Sequence, residues 1–175
     1  MRVFFDNAAT TPMHEDVIAA MVEVMRNNNG NPSSIHAEGR RARAAIEQAR
    51  KQIAKYIGAS IGEIFFTSGG TESNNMALKC AVRDLGVQRI ISSPIEHHCI
   101  LHSLETLEKF DGVAVDFVKL DDKGKPDLSH LEALLQSSDK KTLVSLMHSN
   151  NEIGVMIDLD EISALCEQYG AFFHS

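Results

Sequence analysis

An α/β fold, with a mostly parallel sheet covered by helices on both faces, is what the sequence predicts for the region after about residue 60. Two observations carry this. From Glu63 onward, short apolar runs alternate with segments of helical spacing, the rhythm of successive βαβ units. The runs also place apolar residues side by side, as in Arg89-Ile90-Ile91-Ser92 and Thr142-Leu143-Val144-Ser145, which suits strands buried on both faces.

The elements follow in order. Val3-Phe4-Phe5 is a short extended apolar segment, and Pro12 suits the start of a helix whose stripe is Ile18, Met21, Val22 and Met25. The run Asn27-Asn28-Asn29-Gly30-Asn31-Pro32 stops it. Ser33 or Ser34 is expected to cap a long helix with Ala42, Ala45, Ala49, Ile53 and Ile57 on one face, ending at Gly58. Ile64 to Thr67 reads as a strand, Ser68-Gly69-Gly70 as a turn, and 71–84 as a helix. Three further units follow: Arg89 to Ser92 with the helix bearing Ile100, Leu101, Leu104 and Leu107; Val113 to Val118 with that bearing Leu128, Leu131, Leu134 and Leu135; Thr142 to Met147 with that bearing Leu159, Ile162, Leu165 and Cys166. Ala171-Phe172-Phe173 opens another strand. We divide the chain into an N-terminal helical segment, 1–60, and an α/β region, 61–175.

Bulk properties narrow the function. A chain of 175 residues that is 43% hydrophobic and 23% charged can bury a substantial core. A net charge of −7, with Arg40, Arg41 and Arg43 diluted by Glu38 and Glu47, argues against nucleic-acid binding. No apolar run reaches the ~18 residues of a membrane span, so no membrane partner is expected and the protein is read as cytoplasmic. Cys80, Cys99 and Cys166 have neither a disulfide count nor a Cys-x-x-Cys spacing.

Ligands of such sheets bind beyond the carboxyl ends of the strands. Three polar loops should meet there: Ser68-Gly69-Gly70-Thr71, Pro94-Ile95-Glu96-His97-His98 and His148-Ser149-Asn150-Asn151-Glu152. The glycine turn leads into a helix N-terminus whose free N–H groups suit a phosphate, with hydroxyls of Ser68, Thr71 and Ser73 as further donors. It reads equally well as a capped turn without a ligand. His97 reads as an acid/base group or as a loop histidine satisfied by backbone, and the asparagine pair as ligands or as turn formers. His98 and His102 share a helix face and could hold a metal with Cys99 or Glu96. No third ligand is evident, so no metal site is assigned. The common nucleotide-binding glycine motifs are absent.

Five ordered stretches together resemble the pyridoxal-phosphate-dependent cysteine desulfurases of nitrogen fixation and iron–sulfur cluster assembly, within the class V aminotransferase superfamily. They are Phe5-Asp6-Asn7-Ala8-Ala9-Thr10-Thr11-Pro12, Gly30-Asn31-Pro32-Ser33-Ser34-Ile35-His36, Phe66 to Asn75, Ile95-Glu96-His97-His98 and Met147 to Gly154. The resemblance implies the large domain of a fold-type-I pyridoxal-phosphate enzyme and a homodimer in the full-length protein. It places the cofactor phosphate on Gly70 and Thr71. It sets His97 over the pyridine ring as the catalytic proton carrier, and Asn151 on the phenolic oxygen. Asn7, Ala9 and Thr10 resemble the border of the substrate entrance.

It further implies L-cysteine as substrate, alanine as product, and a sulfur-acceptor or scaffold protein as partner. Selenocysteine lyase, another class V enzyme, or a non-catalytic fragment are the alternatives. The family's ring-nitrogen aspartate with the glutamine after it, its Ser-x-His-Lys lysine, its persulfide cysteine and its carboxylate-binding arginine have no counterpart in these 175 residues. We therefore expect a fragment of a longer enzyme that is inactive alone, with its three cysteines structural.

Overall fold

The structure, a computed structural model, describes residue 1 and residues 3–175. The chain forms two compact units, Met1–Phe66 and Thr67–Ser175.

The first unit carries helices α1 (Glu15–Asn27) and α2 (Ala37–Ile57) and a single 3₁₀ turn at Ile61–Glu63. Helix α1 forms where its stripe predicts, but none of its residues is buried, and Val17, Met21 and Met25 lie on an exposed apolar face. The cap of α2 differs from the serine expected. His36 caps it, Nδ1 accepting from the Gly39 N–H at 3.3 Å. The serines are held in a turn: the Ser33 N–H donates to Asn31 Oδ1 at 2.9 Å, and the Ser34 N–H to the Asn31 carbonyl at 2.9 Å. That turn lies so close to α2 that a Cβ on Gly39 would come within 2.4 Å of the Ser34 carbonyl oxygen. The helix ends as expected at Gly58, whose φ of 69° is a left-handed cap that glycine adopts freely.

The second unit is the α/β region. Helix α3 (Gly70–Arg83) precedes β1 (Arg89–Ser92), α4 (His98–Asp111), β2 (Ala114–Phe117), α5 (Leu128–Gln136), β3 (Thr142–Ser145), α6 (Leu159–Gln168) and β4 (Phe172–His174). The four strands form one parallel sheet in the order β2-β1-β3-β4, with Ile90 opposite Val115 and Leu143, and Val144 opposite Phe173. Segment 64–67, expected as a strand, pairs with no strand among the described residues. A strand exists only through its ladder, so this stretch stays irregular.

Side chains alternate across the sheet and create two cores. Ile90 and Leu143 pack with Leu78, Ile100, Leu104 and Leu107 from α3 and α4. Ile91 and Val144 pack with Leu131, Leu135, Ile162 and Cys166 from α5 and α6. Helices thus cover both faces. At the amino end of the sheet, Arg89 is buried and paired with Asp116 at 2.6 Å, and it also donates to the Leu134 carbonyl.

The order matters for function. The chain leaves β1 toward β2, then crosses back over β1 to β3, so the direction of winding reverses between β1 and β3. At such a reversal the loops after the two strands leave on opposite faces and a crevice opens between them. Among the described residues, no helix is long and apolar enough to cross a membrane.

Candidate functional site

The crevice at the β1/β3 reversal is built from the loops that follow those two strands. A cavity of about 280 Å³ is lined by Ile95, Glu96, His97, Met147, Asn150, Asn151 and neighbouring residues. Two of the three loops singled out in the sequence therefore share one concave site.

His97 sits at the N-cap of α4 in extended backbone (φ −59°, ψ 146°). Its Nδ1 accepts from the Cys99 N–H at 3.1 Å, which places the ring proton on Nε2. The Cys99 thiol lies 3.0 Å from the same nitrogen and accepts from Asn74 Nδ2 at 3.2 Å. Asn74 belongs to α3, so this chain of contacts ties the helix that begins at the glycine turn to the histidine loop. The glycine turn itself does not line the cavity; it joins the site through that link. Of the three thiols, Cys166 is buried and pushed up to about 11 by desolvation, while Cys80 is exposed.

At the glycine turn, α3 begins without a side-chain cap, and Gly69 precedes it in extended backbone. A Cβ on Gly69 or Gly70 would meet nothing within 4 Å. The first-turn N–H groups are thus open to an anion. The three hydroxyls expected as donors behave differently. Ser68 donates both its N–H and its hydroxyl to Glu72 at 2.6 Å, and Ser73 is paired with Thr67 at 2.7 Å. Thr71 is exposed, with no side-chain hydrogen bond among the described residues. The Ser68 hydroxyl and N–H hold the Glu72 carboxyl below its ordinary range.

The asparagine pair divides its labour. Asn150 is buried; its Oδ1 accepts from the N–H groups of Glu152 and Ile153 at 2.8 and 3.0 Å, and its Nδ2 donates to the Ile95 carbonyl at 2.9 Å. Asn151 is exposed on the cavity wall. The rings of His98 and His102 lie 5.7 Å apart on one face of α4, and no group of three metal-ligating side chains occurs among the described residues.

Glu96 belongs to a polar loop and a family-like stretch in the sequence, but the only role considered for it there is that of a metal ligand, and nothing signals its burial. Its side chain is 7% exposed, and Oε1 accepts from the Met147 N–H at 2.7 Å. Burial pushes its carboxyl up from 4.5 to about 7, against the opposing pull of that N–H. The folded chain therefore holds this proton more tightly than the unfolded chain does. The contribution to stability is complete below pH 4.5 and is lost as pH rises to about 7. Its size is on the order of 3 kcal/mol at most. Glu96→Gln is expected to flatten this slope, making the variant the more stable form above neutrality. Urea midpoints measured between pH 4.5 and 8 check it; parallel slopes in both proteins would show that Glu96 is not the titrating group. Beneath the same loops, Ser145 Oγ lies 2.9 Å from His174 Nδ1, and burial lowers the proton affinity of that imidazole.

Residues 3–175 match the aminotransferase class-V family model. The chain is 44% identical to the cysteine desulfurase IscS of Dictyoglomus turgidum, over 99% of this chain and 44% of that protein. It superposes on the solved structure of a NifS-like protein with a TM-score of 0.90 at 36% identity, covering 99% of this chain and 48% of the other. The structure of SspA in complex with cysteine matches with a TM-score of 0.87 at 33% identity, over 98% and 49%. The chain thus spans slightly less than half the length of the relatives it matches.

Proposed function

The chain belongs to the aminotransferase class-V family, and on that premise we propose that it forms part of the pyridoxal-phosphate site of a cysteine desulfurase. The observation that carries the reading is that one cavity at the β1/β3 reversal presents both His97 and Asn151 on its wall. The resemblance assigns those two residues to the cofactor ring.

The donor set fits the cofactor. The uncapped N-terminus of α3, open at Gly69 and Gly70, offers unpaired N–H groups and the positive end of a helix dipole. Gly70 and Thr71 would hold the phosphate there, the Thr71 hydroxyl adding a donor. Asn151 would donate its side-chain amide to the phenolic oxygen. When bound, pyridoxal phosphate supplies a conjugated ring that accepts electrons from bonds broken at the substrate α-carbon.

His97 would lie against the ring face and carry protons to and from the reacting groups. Its Nδ1 is engaged with its own helix, which leaves Nε2 as the nitrogen that exchanges the proton. The protein that carries this chain would take L-cysteine, release alanine and pass the sulfur to an acceptor or scaffold protein for iron–sulfur cluster assembly. It would act in the cytoplasm as a homodimer.

The test is to supply pyridoxal phosphate and L-cysteine to the full-length protein and to the 175-residue chain, and to assay alanine and sulfide. Equimolar alanine and sulfide in the presence of a reductant are expected from the full-length protein, and none from the 175 residues alone. A cofactor-loaded full-length protein that releases neither product would overturn the desulfurase reading.

A further inference from the structure

We propose that Glu96 and Asn150 are positioning residues that clamp the loop bearing His97 to the loop bearing Asn151, fixing the spacing of the two side chains that face the cofactor. The proposal rests on the pyridoxal-phosphate reading above. Its evidence is a pair of hydrogen bonds that cross the crevice in opposite directions. Glu96, from the loop after β1, accepts from the Met147 N–H at 2.7 Å, just beyond the end of β3. Asn150, from the loop after β3, donates back to the Ile95 carbonyl at 2.9 Å. Glu96 and Asn150 each immediately precede a cofactor-facing side chain, so the two loops cannot separate without breaking both bonds.

Burial separates the roles. Glu96 and Asn150 are 7% and 6% exposed, while their neighbours His97 and Asn151 are exposed. All four residues line the cavity, but in each pair the first is buried and grips the opposite loop, and the second is exposed. The acceptor of Asn150 is fully taken up, because its Oδ1 already holds the N–H groups of Glu152 and Ile153 and shapes the turn that displays Asn151. An apolar pair would fill the same space, but it would not set the register of one loop against the other, as directional hydrogen bonds do. A buried polar group is costly unless bonded, and here both are bonded across the site.

The first experiment needs no variant. Amide hydrogen exchange of the wild-type protein is expected to show the Met147 N–H protected by about 100-fold or more relative to an unstructured peptide. Exchange at the unstructured rate would overturn the clamp. Titration of the apoprotein with pyridoxal phosphate then compares Glu96→Ala with Glu96→Gln, whose amide oxygen can still accept from Met147. In the folded alanine variant, affinity is expected to fall about tenfold or more, and the backbone resonances of both His97 and Asn151 to move. The glutamine variant is expected to restore affinity to within about threefold of wild type. An alanine variant that folds and binds like wild type would overturn the proposal, as would a glutamine variant no better than alanine. Failure of the wild-type protein itself to bind pyridoxal phosphate would instead defeat the cofactor reading, and it is told apart because no substitution is involved.

Discussion

Replacing His97 by asparagine is expected to lower cysteine turnover by about 10²–10⁴-fold, the range of a lost acid–base group, with little change in stability. The choice of asparagine matters. His97 is also the N-cap of α4, accepting from the Cys99 N–H at 3.1 Å. Alanine would remove that cap at a cost of about 1 kcal/mol and mix a folding defect with a catalytic one. Asparagine caps a helix well, so its side-chain oxygen can take the bond while the imidazole is gone. Alanine production by the full-length protein, together with a thermal melt, separates the two roles. Normal turnover would show that His97 carries no proton in the reaction. A large drop in melting temperature would make it a structural histidine.

Gly69→Asp is expected to weaken pyridoxal-phosphate binding by roughly 100-fold or more, about 3 kcal/mol, while leaving the fold as stable or slightly more so. Gly69 is the N-cap of α3, in extended backbone that any residue adopts (φ 163°, ψ 177°), and a Cβ placed there would have nothing within 4 Å. Aspartate is favoured over glycine at an N-cap by a few tenths of a kcal/mol. Its carboxylate would bond to the very first-turn N–H groups assigned to the phosphate, and its charge would repel the incoming dianion. Most glycine substitutions that harm binding also harm folding, whereas this one moves the two properties in opposite directions. A fluorescence titration with the cofactor alongside a urea melt would show it. Unchanged affinity would mean that the phosphate lies elsewhere than on α3.

Much of the fold and part of the site are legible in the sequence because they rest on local pattern. The stripes Ile100, Leu104, Leu107 and Leu131, Leu135 place α4 and α5, and their residues are among the buried cores. The polar loops after β1 and β3 converge as expected, because both follow strands at a reversal of sheet order. Asn150 is the turn former that its residue type suggests.

The departures also have physical causes. Ser33 and Ser34 have good capping chemistry, but the Asn31 turn already holds their backbone, and the close approach at Gly39 leaves the cap to His36. Ser68 and Ser73 have hydroxyls suited to a phosphate, yet Glu72 and Thr67 engage them. Hydroxyls carry no mark in the sequence of which neighbour they will choose.

The sequence by itself determined the order of the helices and of the four paired strands from Arg89 onward, the glycine turn at the head of α3, and the residue types offered at each loop, since periodicity and turn chemistry act over a few neighbours. It did not determine that segment 64–67 stays without a strand partner among the described residues. Only the tertiary structure decided that Glu96 turns inward to hold Met147, that Asn150 reaches Ile95, and that Cys99 bridges Asn74 and His97. Those contacts join residues 25 to 55 positions apart, except for the short step from His97 to Cys99. Which side chain meets which across that separation depends on how the strands are ordered in the sheet, and no local pattern encodes it.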